Sequence, residues 1–379
     1  LLVVWKFKMI VDYNELEVCQ IELTTDCGAG CPQCPRNVYG GKTVDGLPIC
    51  QLSLDDIKNI FPKELIRRLR LVFFCGTYGD PIWAKDVLPV IKWLREVNPK
   101  LEIGLNTNGS ARTEKWWKEM ADVLGDDGYV VFSIDGDEET NHIYRRWTNY
   151  DKIIRNAKSF IESGGTAVWE FLVFKHNEHQ VDDIEKLSKE LGFKRFTSKR
   201  TGRFLTKDHT IIEKQEVLDK KGNVEYYLEK PENPKYRNVS LEKIDEIIKQ
   251  VSSFDDYLDE VKIKCLVQSK KELYLSAEGL LVPCGWLHDR MYGEYVKDSK
   301  SSKQFWDVLD EFGGKDSLNA TIHSIKDIVS NGVFRKVSES WVKDSIENGK
   351  MERCAVVCGQ DLDILKNQAT KIYRYESYK

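Results

Sequence analysis

At 379 residues the chain is long enough to bury a full core and to carry a smaller unit beside it. Its 57 Lys and Arg against 61 Asp and Glu leave a net charge of −4, which speaks against a general nucleic-acid binder. No apolar run approaches the ~20 residues needed to span a bilayer, and Leu1–Trp5 is too short for a secretion signal and has no basic region before it.

The first strand signal is the apolar, β-branched run Val18–Thr25, and the stretch that follows it, to Arg36, holds Cys27, Cys31 and Cys34 as C-x3-C-x2-C. Three thiolates suit an iron–sulfur cube and leave its fourth iron open to bind a small molecule and pass it an electron. Structural zinc is the alternative, but it prefers four ligands, and the next cysteine, Cys50, is far behind Cys34. The ten cysteines fall into groups, with none between Cys75 and Cys265 and then Cys265, Cys284, Cys354 and Cys358. Grouping without a secretion signal reads as metal ligation in a reducing cytoplasm rather than a disulfide framework. Cys19, Cys50 and Cys75 are expected to be buried thiols.

Further strands are expected at Leu71–Cys75, Leu101–Thr107, Tyr129–Ile134, Ala167–Phe174 and Phe193–Ser198, with amphipathic helices between them. Ser53 and Asp56 form a capping box, and Gly164-Gly165 and Gly192 suit left-handed helix ends. Six strand–helix units in succession imply a parallel sheet with right-handed crossovers. An α/β fold follows, a partial (β/α)6 TIM-like barrel over residues 1–205. A connector with a hairpin and a helix is expected over 206–260. The segment 261–379 is read as a small C-terminal domain with a β-hairpin at Leu273–Pro283, and its tail, Asp361–Lys379, shows no readable chemistry.

The three-cysteine loop at the end of a first strand resembles that of the radical S-adenosylmethionine (SAM) enzymes. That resemblance implies reductive cleavage of SAM by a 4Fe-4S cluster on Cys27, Cys31 and Cys34. Gly76-Thr-Tyr-Gly-Asp-Pro81 resembles the family's Gly-Gly-Glu-Pro segment, so Gly79 and Asp80 are expected at the SAM amino group. An ordinary Gly-Asp-Pro turn is the bland reading of the same residues. Asn106-Thr-Asn-Gly109, with Asn108, and Ser133-Ile-Asp-Gly136 resemble segments flanking the SAM ribose and methionine, and each is also compatible with a plain βα turn. Arg145 stands where relatives place an arginine near the SAM carboxylate. Asp135 and Glu170 are the catalytic candidates; alternation puts Glu170 and Leu172 on one strand face, Trp169 and Phe171 on the other. The family usually has an aromatic residue before the third cysteine, where this chain has Gln33. The basic run Lys194–Lys207 either faces the site opening or forms a solvated edge.

The spacing C-x13-G-x4-C at Cys265, Gly279 and Cys284, followed by Cys354 and Cys358, resembles the auxiliary-cluster extension of the same family. Four cysteines fit the shorter twitch version, with a second 4Fe-4S cluster, better than the larger SPASM one; four-cysteine zinc is the alternative. The resemblance implies a hydrogen-abstracting enzyme with SAM, two 4Fe-4S clusters and an electron donor such as flavodoxin or ferredoxin. The short stretch before Val18 leaves no room there for a leader-binding domain, which tilts the expectation toward a small-molecule oxidation rather than peptide modification. A metal-binding scaffold without catalysis is the rival from another class.

Overall fold

The computed structural model describes residues 10–206, 209–251, 253–293 and 298–360; Lys207 of the basic run and the tail from Asp361 lie outside them. All of the expected strands of the first half form, as β1 (Val18–Ile21), β2 (Leu71–Phe74), β3 (Glu102–Thr107), β4 (Gly128–Ser133), β5 (Thr166–Val173) and β6 (Arg195–Arg200). They pair in chain order and in parallel. The intervening helices bury the apolar faces read from periodicity; Val87–Val97, for example, buries Val87, Leu88, Val90, Ile91, Trp93 and Leu94. The Ser53 box closes reciprocally, with Ser53 N donating to Asp56 Oδ2 at 2.8 Å and Asp56 N to Ser53 Oγ at 3.1 Å. Gly164 and Gly192 take φ of +88° and +85°, as left-handed helix ends require.

Strand alternation divides the core in two. Cys19, Ile21, Val72, Phe74, Val130, Phe132, Trp169 and Phe171 pack outward beneath the helices. Val18, Leu71, Phe73, Tyr129, Val131 and Val168 pack together on the inner face. Two residues further along each strand, the inner face turns polar: Gln20, Cys75, Asn106, Ser133, Glu170 and Lys199 line the cavities at the carboxyl ends. Carboxyl strand ends are where barrels of this kind place their chemistry.

Two hairpins follow. β7 (Lys214–Leu218) and β8 (Val224–Glu229) form a separate antiparallel sheet. β9 (Glu272–Leu275) and β10 (Leu281–Val282) form the second hairpin, and β9 lies parallel to β1, with Val18 opposite Glu272. One eight-stranded sheet results, in the order β10-β9-β1-β2-β3-β4-β5-β6. The helix expected from Ser240 begins at Val239, capped by Asn238, and divides into Val239–Glu242 and Ile244–Gln250. Among the described residues no helix is long and apolar enough to cross a membrane.

Candidate active site

Cys27, Cys31 and Cys34 share one cavity of about 280 Å³ with Asp80, Asn108, Ser133, Asp135, Arg145 and Glu170. Asp80, Asn108, Ser133 and Asp135 were expected there from segments after strands, Arg145 from the family resemblance, and Glu170 from alternation along β5. N–H groups point at two of the sulfurs: Ala29 N at 3.4 Å and Asn108 Nδ2 at 3.6 Å from Cys27, and Arg145 Nη1 at 3.6 Å from Cys31. Burial pushes all three thiols up, Cys31 to about 11, so thiolates here need a bound cation to exist at neutral pH. Among the described residues no three His, Cys, Asp or Glu groups converge closely enough to hold a single metal ion. Ligands to separate irons of one cluster need no such convergence, and sulfurs met by N–H donors are what cluster ligation uses. The residues present fit a cluster.

The loop after β2 is built tightly against the end of β1. A Cβ at Gly79 would fall 1.7 Å from the Thr24 carbonyl oxygen, so that position accepts glycine alone. Asp80 is buried and turns its Oδ2 to the loop after β3, accepting from Thr107 Oγ1 at 3.1 Å, Asn108 N at 2.8 Å and Asn108 Nδ2 at 2.7 Å. Its Oδ1 takes a longer bond, 3.2 Å, from Ile82 N.

Arg145 and Asp135 pair at 2.6 Å, and Asp135 also accepts from Leu172 N at 2.6 Å. Asp135 is fully buried and holds the end of β5 and the arginine in place. Arg145 keeps Nη1 toward Cys31. Glu170 instead pairs with Lys199 across the β5–β6 seam at 2.6 Å, half-buried in the cavity. Lys199 belongs to the basic run, and strand alternation carries it inward. Arg203 of the same run lines the cavity and donates to the Gln33 carbonyl at 2.5 Å.

The second cysteine set comes from three separate segments. Cys284 caps the short helix Gly285–His288, and Cys354 and Cys358 lie one turn apart on the helix Glu352–Cys358. Lys264 N donates to the Cys358 carbonyl at 2.9 Å, which brings Cys265 beside Cys358. A hydrogen bond to Cys358, then burial, raises the Cys265 thiol, and burial raises Cys284 to about 12. All four line a cavity of about 850 Å³ that runs into the barrel, and Cys75, Gly76, Thr77, Asn106, Arg203 and Trp286 wall both this cavity and the first.

Two parts of the site escaped sequence reasoning. Gln33 is buried, with Thr201 Oγ1 donating to its Oε1 at 2.7 Å and Gln215 Oε1 3.4 Å from its Nε2. Gln215 Nε2 also donates to the Pro32 carbonyl at 2.9 Å, so the β7–β8 hairpin braces the three-cysteine loop. Arg146, adjacent to Arg145 and indistinguishable from it in sequence, is buried, donates to the Gly40 and Leu218 carbonyls and pairs with Glu225. A polar residue where relatives carry an aromatic one was the available signal for the brace.

No protein-family model matches the sequence, and no curated protein matches it. Among solved structures the chain is similar to anSMEcpe with bound AdoMet, at a TM-score of 0.55 and 15% identity, over 92% of this chain and 86% of that one. It is similar to Streptococcus suis SuiB bound to S-adenosylmethionine, at a TM-score of 0.53 and 14% identity, over 97% of this chain and 76% of that one. SuiB bound to its precursor peptide SuiA matches at a TM-score of 0.50 and 15% identity, over 90% and 77% of the two chains. These neighbours are radical SAM enzymes, and the mostly parallel α/β sheet described above is consistent with their partial TIM-like fold. The chain has the fold of the radical SAM enzymes.

Proposed function

We propose that the protein is a radical SAM enzyme that oxidises its substrate, with one 4Fe-4S cluster on Cys27, Cys31 and Cys34 and a second on Cys265, Cys284, Cys354 and Cys358. The observation that carries this reading is the pair of cysteine-lined cavities with a common wall at Cys75, Gly76, Thr77, Asn106, Arg203 and Trp286. When bound, SAM and the clusters supply reductive cleavage, hydrogen abstraction by the 5′-deoxyadenosyl radical, and an acceptor for one substrate electron.

The chain's own groups do the rest. Gly79 and Asp80 hold the SAM amino group, and Asn108 and Ser133 lie along its ribose and methionine. Arg145, fixed by Asp135, offers its Nη edge to the carboxylate. Glu170, hydrogen-bonded to Lys199 Nζ, takes the proton that leaves X–H as a C–H/X–H pair becomes C=X. An external carrier such as flavodoxin or ferredoxin supplies the reducing electron.

A small polar molecule is the substrate class favoured by the charged pair in the cavity. A peptide is the second reading, favoured by the likeness to SuiB bound to SuiA and by the volume of the larger cavity, about 850 Å³. Anaerobically reconstituted protein with reductant and SAM is expected to release 5′-deoxyadenosine; none at all, with both clusters in place, would leave a metal-binding scaffold as the answer.

A further inference from the structure

Glu22, one residue beyond β1, is fully buried, and its carboxylate is committed on both oxygens. Oε1 accepts from Tyr78 N at 2.7 Å and from Gly79 N at 2.9 Å. Oε2 accepts from the Tyr274 hydroxyl of β9 at 2.9 Å. That hydroxyl also lies 2.8 Å from Thr77 Oγ1 and 3.2 Å from His288 Nδ1. Tyr78 returns the link by donating its own hydroxyl to the His288 carbonyl at 2.9 Å. His288 closes the helix that Cys284 caps, and its N–H donates to the Cys284 carbonyl at 3.1 Å. The backbone follows the same route, with Glu22 N donating to the Leu275 carbonyl at 2.8 Å.

Thr77, Tyr78 and Gly79 are thus held by one carboxylate at the end of β1, by the Tyr274 hydroxyl and by the His288 carbonyl. A loop with glycines at both 76 and 79 loses much conformational freedom when it is ordered. A buried carboxylate accepting two consecutive backbone N–H groups supplies the ordering contact. The fit is close, since a Cβ at Gly76 would stand 2.4 Å from Glu22 Oε1. Without the Tyr274 hydroxyl, Glu22 Oε2 and His288 Nδ1 would both lose a buried partner.

We propose that Glu22 and Tyr274 are positioning residues for SAM binding, and that through them the seating of the second cysteine segment sets SAM affinity at the first. The inference rests on the reading of Gly79 and Asp80 as SAM contacts. Coupling of this kind is reciprocal, so bound SAM in turn steadies β9 and the Cys284 helix. Simple packing between the two segments would change stability when broken and leave SAM affinity where it was.

The test uses the reconstituted holoenzyme, anaerobic calorimetry with SAM, iron content and amide hydrogen exchange. Tyr274→Phe keeps the ring and its packing; it is expected to weaken SAM about tenfold with iron content unchanged. Glu22→Ala is expected to weaken SAM by a further factor of about ten, while Glu22→Gln, which keeps an oxygen for both backbone N–H groups, restores most of the loss. Exchange across residues 272–288 is expected to slow when SAM binds to the wild type and to stay unchanged in Tyr274→Phe. If Glu22→Ala does not fold, Tyr274→Phe decides alone. Unchanged SAM affinity in Tyr274→Phe, with affinity lost in Asp80→Ala, would overturn the coupling and leave the SAM-contact reading standing. Unchanged affinity in Asp80→Ala would overturn both.

Discussion

Asn108 gives Asp80 two hydrogen bonds on a single oxygen, one from its backbone N–H at 2.8 Å and one from its side-chain amide at 2.7 Å. The loops after β2 and β3 are therefore fastened to each other through one carboxylate, which leaves Oδ1 the less committed atom. Asp80 holds the neighbouring loop, and in the proposed reading it also takes the SAM amino group.

Asp80→Ala removes a charge-assisted contact of about 1.5–3 kcal/mol. SAM affinity should fall about ten- to a hundredfold, with iron content intact. Asp80→Asn should lose less, since its carbonyl oxygen still accepts from Asn108. Anaerobic calorimetry measures both, and identical SAM affinity in the wild type and Asp80→Ala would reduce Gly76–Pro81 to a turn.

Full reconstitution should give about eight irons per chain, from two cubes. The variant with Cys27, Cys31 and Cys34 replaced by Ala should retain roughly half of that iron and form no 5′-deoxyadenosine. Zinc at the second cysteine set after strictly anaerobic preparation would contradict the arithmetic.

Cys358→Ala takes a ligand from the second set and the hydrogen-bonding neighbour from Cys265. The variant should still cleave SAM and abstract hydrogen, yet give no oxidised product, as read by mass spectrometry with the true substrate. Circular dichroism must first show an unchanged fold, because ligand binding contributes folding energy. A redox-neutral product in the wild type, carrying one solvent-derived hydrogen, would exclude the electron-acceptor role.

Burial raises the Glu22 carboxyl from 4.5 to about 7 in the folded chain. Between those values the folded state binds more protons than the unfolded state, so this group's contribution is complete below pH 4.5 and is lost as pH rises to about 7. The loss is roughly 3 kcal/mol. His288 acts with the opposite sign, since burial lowers it to about 3 and the unfolded state then binds the extra proton. Urea unfolding of the wild type and Glu22→Gln across pH 4.5–7.5 isolates the carboxyl, and the wild type should lose stability relative to the variant as pH rises. Parallel profiles would show that Glu22 does not titrate in this range.

The barrel was legible because each strand carries its own period-two pattern and each helix its own apolar stripe. The three-cysteine loop was legible because its spacing is local. The place of β9 was not, since which strand takes the free edge of β1 depends on the whole sheet and on no pattern near Leu273. Gln33 looked like a departure until Gln215 and Thr201, both remote in the chain, supplied its partners. Lys199 read as one charge in a basic run; only alternation along β6 separates it from its solvated neighbours. Glu22 carried no signal, since a glutamate after a strand is commonly exposed and nothing nearby names Tyr274 as its partner.

The pairing of β9 with β1 also governs the order in which the molecule is assembled. Val18 must wait for Glu272, so the edge of β1 closes only after most of the chain has left the ribosome. Until then Glu22 N lacks the Leu275 carbonyl, and the row of main-chain groups on β1 is open to any passing strand. A chain cut before β9 would expose that row permanently, a hazard for self-association during expression. Slow synthesis of the middle of the chain would lengthen the same exposure, so yield should depend on how quickly the last third follows the first.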